Sequence, residues 1–116
     1  YDLIIIEHVL EHLDKPYKAM RNVYRLLNPD GHVLIITPFL VKVHNAPQDC
    51  TRWTESGIKN FLMECGYNKN NIETGSWGNR SCIKSNFYGW TKYNPLLHTL
   101  KNEPDFPIVV WAFVKK

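Results

Sequence analysis

Several things are scarce or absent in this chain, and each absence narrows what it can do. Cysteine is sparse: Cys50, Cys65 and Cys82 are odd in number and widely spaced, with no CxxC and no Cys/His ligand set. That pattern argues against a disulfide scaffold, and reduced thiols in a cytoplasmic protein are the expectation. No GxG occurs in the 116 residues, so no glycine-rich cofactor-cradling turn lies within them. No apolar run approaches the roughly 20 residues of a membrane helix. The N-terminus lacks the basic, apolar, small-residue order of a signal sequence, so no membrane partner is expected. Strong charge of one sign is also missing. The net charge is +3 and the pI about 8.8, too mild to argue for nucleic acid. The chain opens on a strand without a Met, which reads as a beginning inside a longer protein.

What is present is the composition of one globular domain with a modest core: 44% hydrophobic and 22% charged residues. Residues 2–6 run Asp-Leu-Ile-Ile-Ile, and after Asp2 they read as a strand buried on both faces. Asp14 is a suitable N-cap and Pro16 suits a first helical turn. Ala19, Met20, Val23, Leu26 and Leu27 then recur at helical spacing. Pro29-Asp30-Gly31 turns the chain into a second strand over 32–37. The order strand, helix, strand predicts a βαβ unit of a parallel sheet.

Residues 38–53 show no periodicity, and a connection of that length is usually functional. Thr54 predicts the cap of a second helix whose stripe is Ile58, Phe61, Leu62 and Cys65, ended by Gly66. Trp53 suits a hydrophobic staple for that helix. Residues 71–76 predict a weaker strand and 108–114 a stronger one. Between them lies a segment, 77–106, rich in aromatics, with a short helix expected over Pro95–Lys101. No repeat or domain boundary interrupts the chain, so 1–116 reads as a single domain with 77–106 as an insert or lid.

Three stretches carry a resemblance. Asp2-Leu3-Ile4-Ile5-Ile6-Glu7-His8-Val9-Leu10-Glu11-His12 resembles the fourth-strand segment of class I S-adenosylmethionine-dependent methyltransferases. Arg25-Leu26-Leu27-Asn28-Pro29-Asp30-Gly31 resembles their R-x-L-x-P-G-G turn, with Asp30 in place of the first glycine. His44, Pro47, Asp49, Arg52, Trp53 and Thr54 resemble the H-x-x-P-x-D-x-x-R-x-T stretch before the fifth helix. The resemblance implies an α/β fold, a partial Rossmann-like doubly wound sheet made of strands 4, 5, 6 and 7, the seventh antiparallel. It covers the second half of that fold only. The glycine-rich loop and the acidic ribose-binding residue belong to the first half.

The implied activity is methyl transfer from S-adenosylmethionine to an acceptor, expected to be a small molecule. The isolated chain is expected to be inactive and to need the N-terminal half for strong cofactor binding. Ligands of open α/β sheets bind beyond the carboxyl ends of the strands. Family position therefore implies cofactor contacts at Glu7, His8 and Val9, and substrate-side roles for His12, Phe39, His44, Asp49 and Arg52. Methyl transfer needs alignment above all, and a base only where the nucleophile carries a proton. His8 and His44 are the residues available for that role. A strand 2–6 without its neighbour would expose an apolar edge, so self-association there is expected.

Other readings stand beside this one. The chain suits a non-enzymatic binding or assembly module that retains the half-fold. His8-Val9-Leu10-Glu11-His12 also matches the H-x-x-E-H zinc signature of inverted-motif metallopeptidases, which requires a helix. A strand runs directly into it here, so no metal ligands are assigned, and Glu11 and His12 read equally as capping and solvated polarity. Asp49 and Arg52 suit an internal pair pinning the loop. Arg80, Lys84, Lys92 and Lys101 among aromatics could follow a nucleic acid, but they form no dense cluster, and a lid is favoured.

Overall fold

Branched apolar residues build the sheet of this computed structural model, which describes residues 1–116. Strand β1 (Leu3–Glu7) pairs in parallel with β2 (His32–Pro38), from Leu3 opposite His32 to Glu7 opposite Ile36. Helix α1 (Pro16–Leu26) makes the crossover between them. Helix α2 (Glu55–Glu64), strand β3 (Ile72–Trp77), a short helix α3 (Arg80–Ser85) and strand β4 (Val109–Lys115) follow. Strand β4 lies between β2 and β3 and is antiparallel to both, giving the order β1-β2-β4-β3. This is the 4-5-7-6 order, with the seventh strand antiparallel, that the resemblance implies.

One face of the sheet carries the core. Val33, Ile35, Val110, Ala112 and Val114 are wholly buried, together with Met20 of α1 and Ile58, Phe61 and Leu62 of α2. Burying one such large side chain stabilises the fold by about 1.5–3 kcal/mol. The expectation that β1 is buried on both faces is corrected. Its burial alternates, and Leu3 and Ile5 are 52% and 59% exposed. Only Ile4 and Ile6 pack on the core, which both long helices cover from the same side. Phe113 shares the exposed face with Leu3 and Ile5 through the strand register.

The ends of the elements follow local chemistry. Helix α1 starts with Pro16 after Lys15, and no side chain caps it. Asp14, the expected cap, instead accepts a hydrogen bond from Gln48 Nε2 at 2.5 Å. In the turn that follows, Asp30 takes the left-handed conformation (φ 63°) where the resembling motif has glycine. A short polar side chain tolerates that region better than a branched one. Lys115 Nζ sits 2.7 Å from the Asp30 carboxylate, and its hydrogen bond lowers the Asp30 pKa. Thr54 caps α2 as predicted, its Oγ1 accepting from Gly57 N at 3.0 Å. Trp53 packs on Phe61 with ring centroids 5.2 Å apart, and Gly66 (φ 107°) ends the helix.

The segment between β3 and β4 differs from expectation. Residues 95–97 form a turn rather than a helix, and Leu96 and Leu97 project into solvent. The helix lies earlier, at α3, where the buried Asn79 accepts from Cys82 N at 2.7 Å. Its amide also donates to the carbonyls of Thr99 and Lys101, tying the returning chain to the helix start.

Candidate functional site

The site begins where β1 ends. His8 N–H donates to Ile36 O at 2.9 Å, extending the parallel ladder by one bond. His8 then adopts φ 50°, an uncommon conformation for a non-glycine residue, and the chain turns off the sheet. One 3-10 turn, Leu10–His12, follows, anchored by the buried Leu10. The five residues His8–His12 thus bend through an elbow and do not form the helix that the H-x-x-E-H peptidase signature requires.

The long loop closes over this elbow. Cys50 N donates to Glu11 O at 2.6 Å, and Gln48 Nε2 donates to His12 O at 2.8 Å. His12 Nδ1 lies 2.5 Å from Gln48 O. A carbonyl only accepts, so Nδ1 carries the proton. Nε2 faces Glu11 Oε1 at 3.6 Å, and His8 Nδ1 lies 3.6 Å from the same oxygen.

Glu11 is the least expected residue of the site. The reading of Glu11 as solvated or capping polarity is corrected: it is completely buried, and neither carboxylate oxygen has a hydrogen-bond partner. His44 completes the group, its ring 5.2 Å from that of His12 in an edge-on arrangement. Ligand atoms of Glu11, His12 and His44 all lie within 4.8 Å of one another.

Behind His44 stands an ion pair. Asp49 and Arg52 pair through both carboxylate oxygens, Arg52 Nη2 to Oδ2 at 2.6 Å, so the expected pinning of the loop is present. His44 N donates to Oδ2 at 3.0 Å, and its Nδ1 lies 3.2 Å from the same oxygen. The Arg52 hydrogen bonds hold the Asp49 pKa down to about 2, against the cost of burial. Asp49 is therefore a carboxylate at neutral pH. Phe39, Val41, Val43, Cys50 and Arg52 line a groove of about 200 Å³ beside this pair.

The structure therefore gathers His12, His44, Asp49 and Arg52 into one cluster, with Phe39 on the adjoining groove. His8 joins it through Glu11, while Glu7 and Val9 stand exposed on the same rim. Sequence reasoning missed Gln48, whose position between Pro47 and Asp49 in the loop motif was the available signal.

Among the solved structures that match this chain along its length are two methyltransferases. One, described as a SAM-dependent methyltransferase from Archaeoglobus fulgidus, is 13% identical with a TM-score of 0.65, covering 99% of this chain and 59% of that one. The other, an S-adenosylmethionine-dependent methyltransferase from Mesorhizobium loti, is 15% identical with a TM-score of 0.66, covering 100% and 62%. At that identity they establish the fold: an open α/β sheet of the methyltransferase type. The chain spans about three fifths of the length of either structure. No curated protein sequence matches it significantly. The family model for a methyltransferase domain matches residues 1–73, and the chain belongs to that family.

Proposed function

We propose that this chain forms the acceptor-side part of an S-adenosylmethionine-dependent methyltransferase acting on a small molecule. The observation that carries the reading is the meeting of the β1 rim with the 44–52 loop at one end of a methyltransferase-type sheet. S-adenosylmethionine supplies a methyl group on a sulfonium centre. Glu7, His8 and Val9 fit one wall of its site, since two exposed polar side chains and an exposed apolar one stand together at the carboxyl rim. The glycine-rich turn and ribose clamp are not among these 116 residues, so this wall alone should bind the cofactor weakly.

His8 and His44 are the imidazoles placed to accept a proton from an acceptor. His8 is half-exposed at the rim, and the ring of His44 stands beside Asp49, its Nδ1 3.2 Å from Oδ2. The groove beside Asp49 and Arg52 is small, which favours a small acceptor. The insert at 77–106 acts as a lid on this side: Lys42 Nζ donates to Tyr88 O at 3.2 Å, and Phe39, Lys42, Ile83 and Phe87 share a second groove. Nucleic acid is disfavoured because Arg80 is already paired with Glu103 at 2.7 Å. No helix is long and apolar enough to cross a membrane. Three unpaired cysteines support a cytoplasmic location.

Titration with S-adenosylmethionine tests this reading, using the chain alone and then with a polypeptide carrying the glycine-rich half of the fold. Binding and methyl transfer should arise only in the second case. Their absence in both would overturn it.

A second reading, an assembly module, draws on the free edge of β1 and the exposed Leu3 and Ile5. Self-association through this strand should appear as a concentration-dependent sedimentation coefficient, abolished by Ile5→Lys. A chain monomeric at every concentration would remove it.

A further inference from the structure

The buried carboxylate of Glu11 has no function in the methyl-transfer reading, and its surroundings are unusual. It has no donor within hydrogen-bond distance on either oxygen, although nothing of it reaches solvent. A bare carboxylate in such a place is costly unless a cation faces it. Two imidazole nitrogens face it at 3.6 Å, beyond hydrogen-bond reach and close to the spacing of two ligands on one ion.

We propose that Glu11, His12 and His44 bind a divalent transition-metal ion of the zinc type. Three features of the structure support the assignment. The three ligand atoms lie within 4.8 Å of one another, so a small side-chain adjustment brings each to the roughly 2.0–2.2 Å of a zinc bond. Groups that would hold the imidazoles stand behind them. His12 Nδ1 is fixed on the Gln48 carbonyl, which leaves Nε2 free toward Glu11. His44 Nδ1 lies 3.2 Å from Asp49, itself clamped by Arg52, without a hydrogen bond between them, so a small ring rotation would bring it to the carboxylate–histidine arrangement common behind metal-bound imidazoles. The donor set of two imidazoles and one carboxylate suits zinc and its first-row neighbours, whereas magnesium prefers an all-oxygen shell.

Three protein ligands leave a fourth position open. His8, half-exposed, lies 3.6 Å from Glu11 Oε1 at the edge of the cluster. With the ion in place both nitrogens of His44 are engaged, which leaves His8 as the free imidazole of the rim. The loop 44–52 supplies one ligand, His44, and the groups beside both imidazoles, Gln48 and Asp49, so metal binding also locks it onto the elbow. The proposal stands independently of methyl transfer, because its readout needs neither cofactor nor acceptor.

The test is equilibrium dialysis of the chelator-stripped chain against Zn²⁺, with Mg²⁺ as competitor, and cobalt substitution followed by visible absorption. We expect one zinc per chain, undisturbed by excess magnesium, and the intense absorption of low-coordinate cobalt. Glu11→Gln keeps the side-chain shape and should weaken zinc binding more than 100-fold. Asp49→Asn, acting through His44, should weaken it about 10–100-fold. His98→Gln, in the distant insert, should change nothing. If Glu11→Gln fails to fold, His44→Gln decides, since that side chain lies on the loop and is 31% exposed. Less than one tightly bound zinc per chain, or unchanged affinity in a folded Glu11→Gln or His44→Gln, would overturn the site.

Discussion

Replacing Asp49 by asparagine asks how firmly the loop is pinned. The carboxylate is 3% exposed, paired with both terminal nitrogens of Arg52, and it accepts from His44 N at 3.0 Å. Arg52 is the main reason its pKa falls from 3.8 to about 2. At about 1.4 kcal/mol per unit, that displacement corresponds to about 2 kcal/mol of stability. Arg52 retains 21% exposure, so solvent screening brings the figure toward ~1 kcal/mol. The folded pKa lies below the unfolded one. The stabilisation is therefore complete above pH 3.8 and is lost as pH falls toward about 2. Asp49→Asn keeps the shape and removes the charge. Its urea midpoint should lie below that of the parent chain by about 0.3–1 M at neutral pH, given slopes of about 1–3 kcal/mol per M. The gap should close as the pH approaches 2. Equal midpoints at neutral pH, or a gap unchanged down to pH 2, would refute the reasoning.

Other perturbations reach the rest of the molecule. A methyl group on Gly78 would sit 2.3 Å from Ile108 N and 2.4 Å from Phe106 O, both backbone atoms. Gly78→Ala should therefore cost about 3 kcal/mol or more in thermal or urea unfolding, the upper end for overpacking. Thr54→Ala removes the hydroxyl that accepts from Gly57 N and should cost about 1 kcal/mol, with Thr54→Ser recovering most of it. Native-state alkylation followed by mass spectrometry should label the exposed Cys50 first. Cys65, whose thiol burial pushes up to about 11, should react only after unfolding.

Local chemistry was legible in the sequence wherever one segment decides its own state. The β1–α1–β2 unit, the Thr54 cap and the Gly66 stop could be read because periodicity and capping lie within a few residues of each element, whereas the strand order followed only from the family resemblance. The misreadings share a tertiary cause. Glu11 reads as solvated polarity because its own neighbours are polar, and it is buried only when Gln48, Cys50 and Thr51 close over the elbow. The expected helix over Pro95–Lys101 has Leu96 and Leu97 but no surface to bury them against, and so short a helix depends on packing. Helix α3 went unread because its defining contact is Asn79 bridging to Thr99 and Lys101, some twenty residues onward. The cluster residues His12, His44, Asp49 and Arg52 were readable singly through family position, but their meeting at Glu11 was not.

The position of β4 has a consequence for the order of assembly. The strand that comes last in sequence occupies an interior place in the sheet, with β2 on one side and β3 on the other. Until residues 109–115 arrive, β3 lacks any hydrogen-bonded neighbour and β2 has only β1, and Val33 and Ile35 face no Val114 or Ala112. On a ribosome, where the chain emerges from its N-terminal side, the core cannot close before this strand is released. Its pairing with β2 spans some seventy residues of intervening chain, and such distant contacts form slowly. Synthesis should therefore pass through a stage in which β1 and β2 are joined while the centre of the sheet stands open, and a chaperone would meet the protein there.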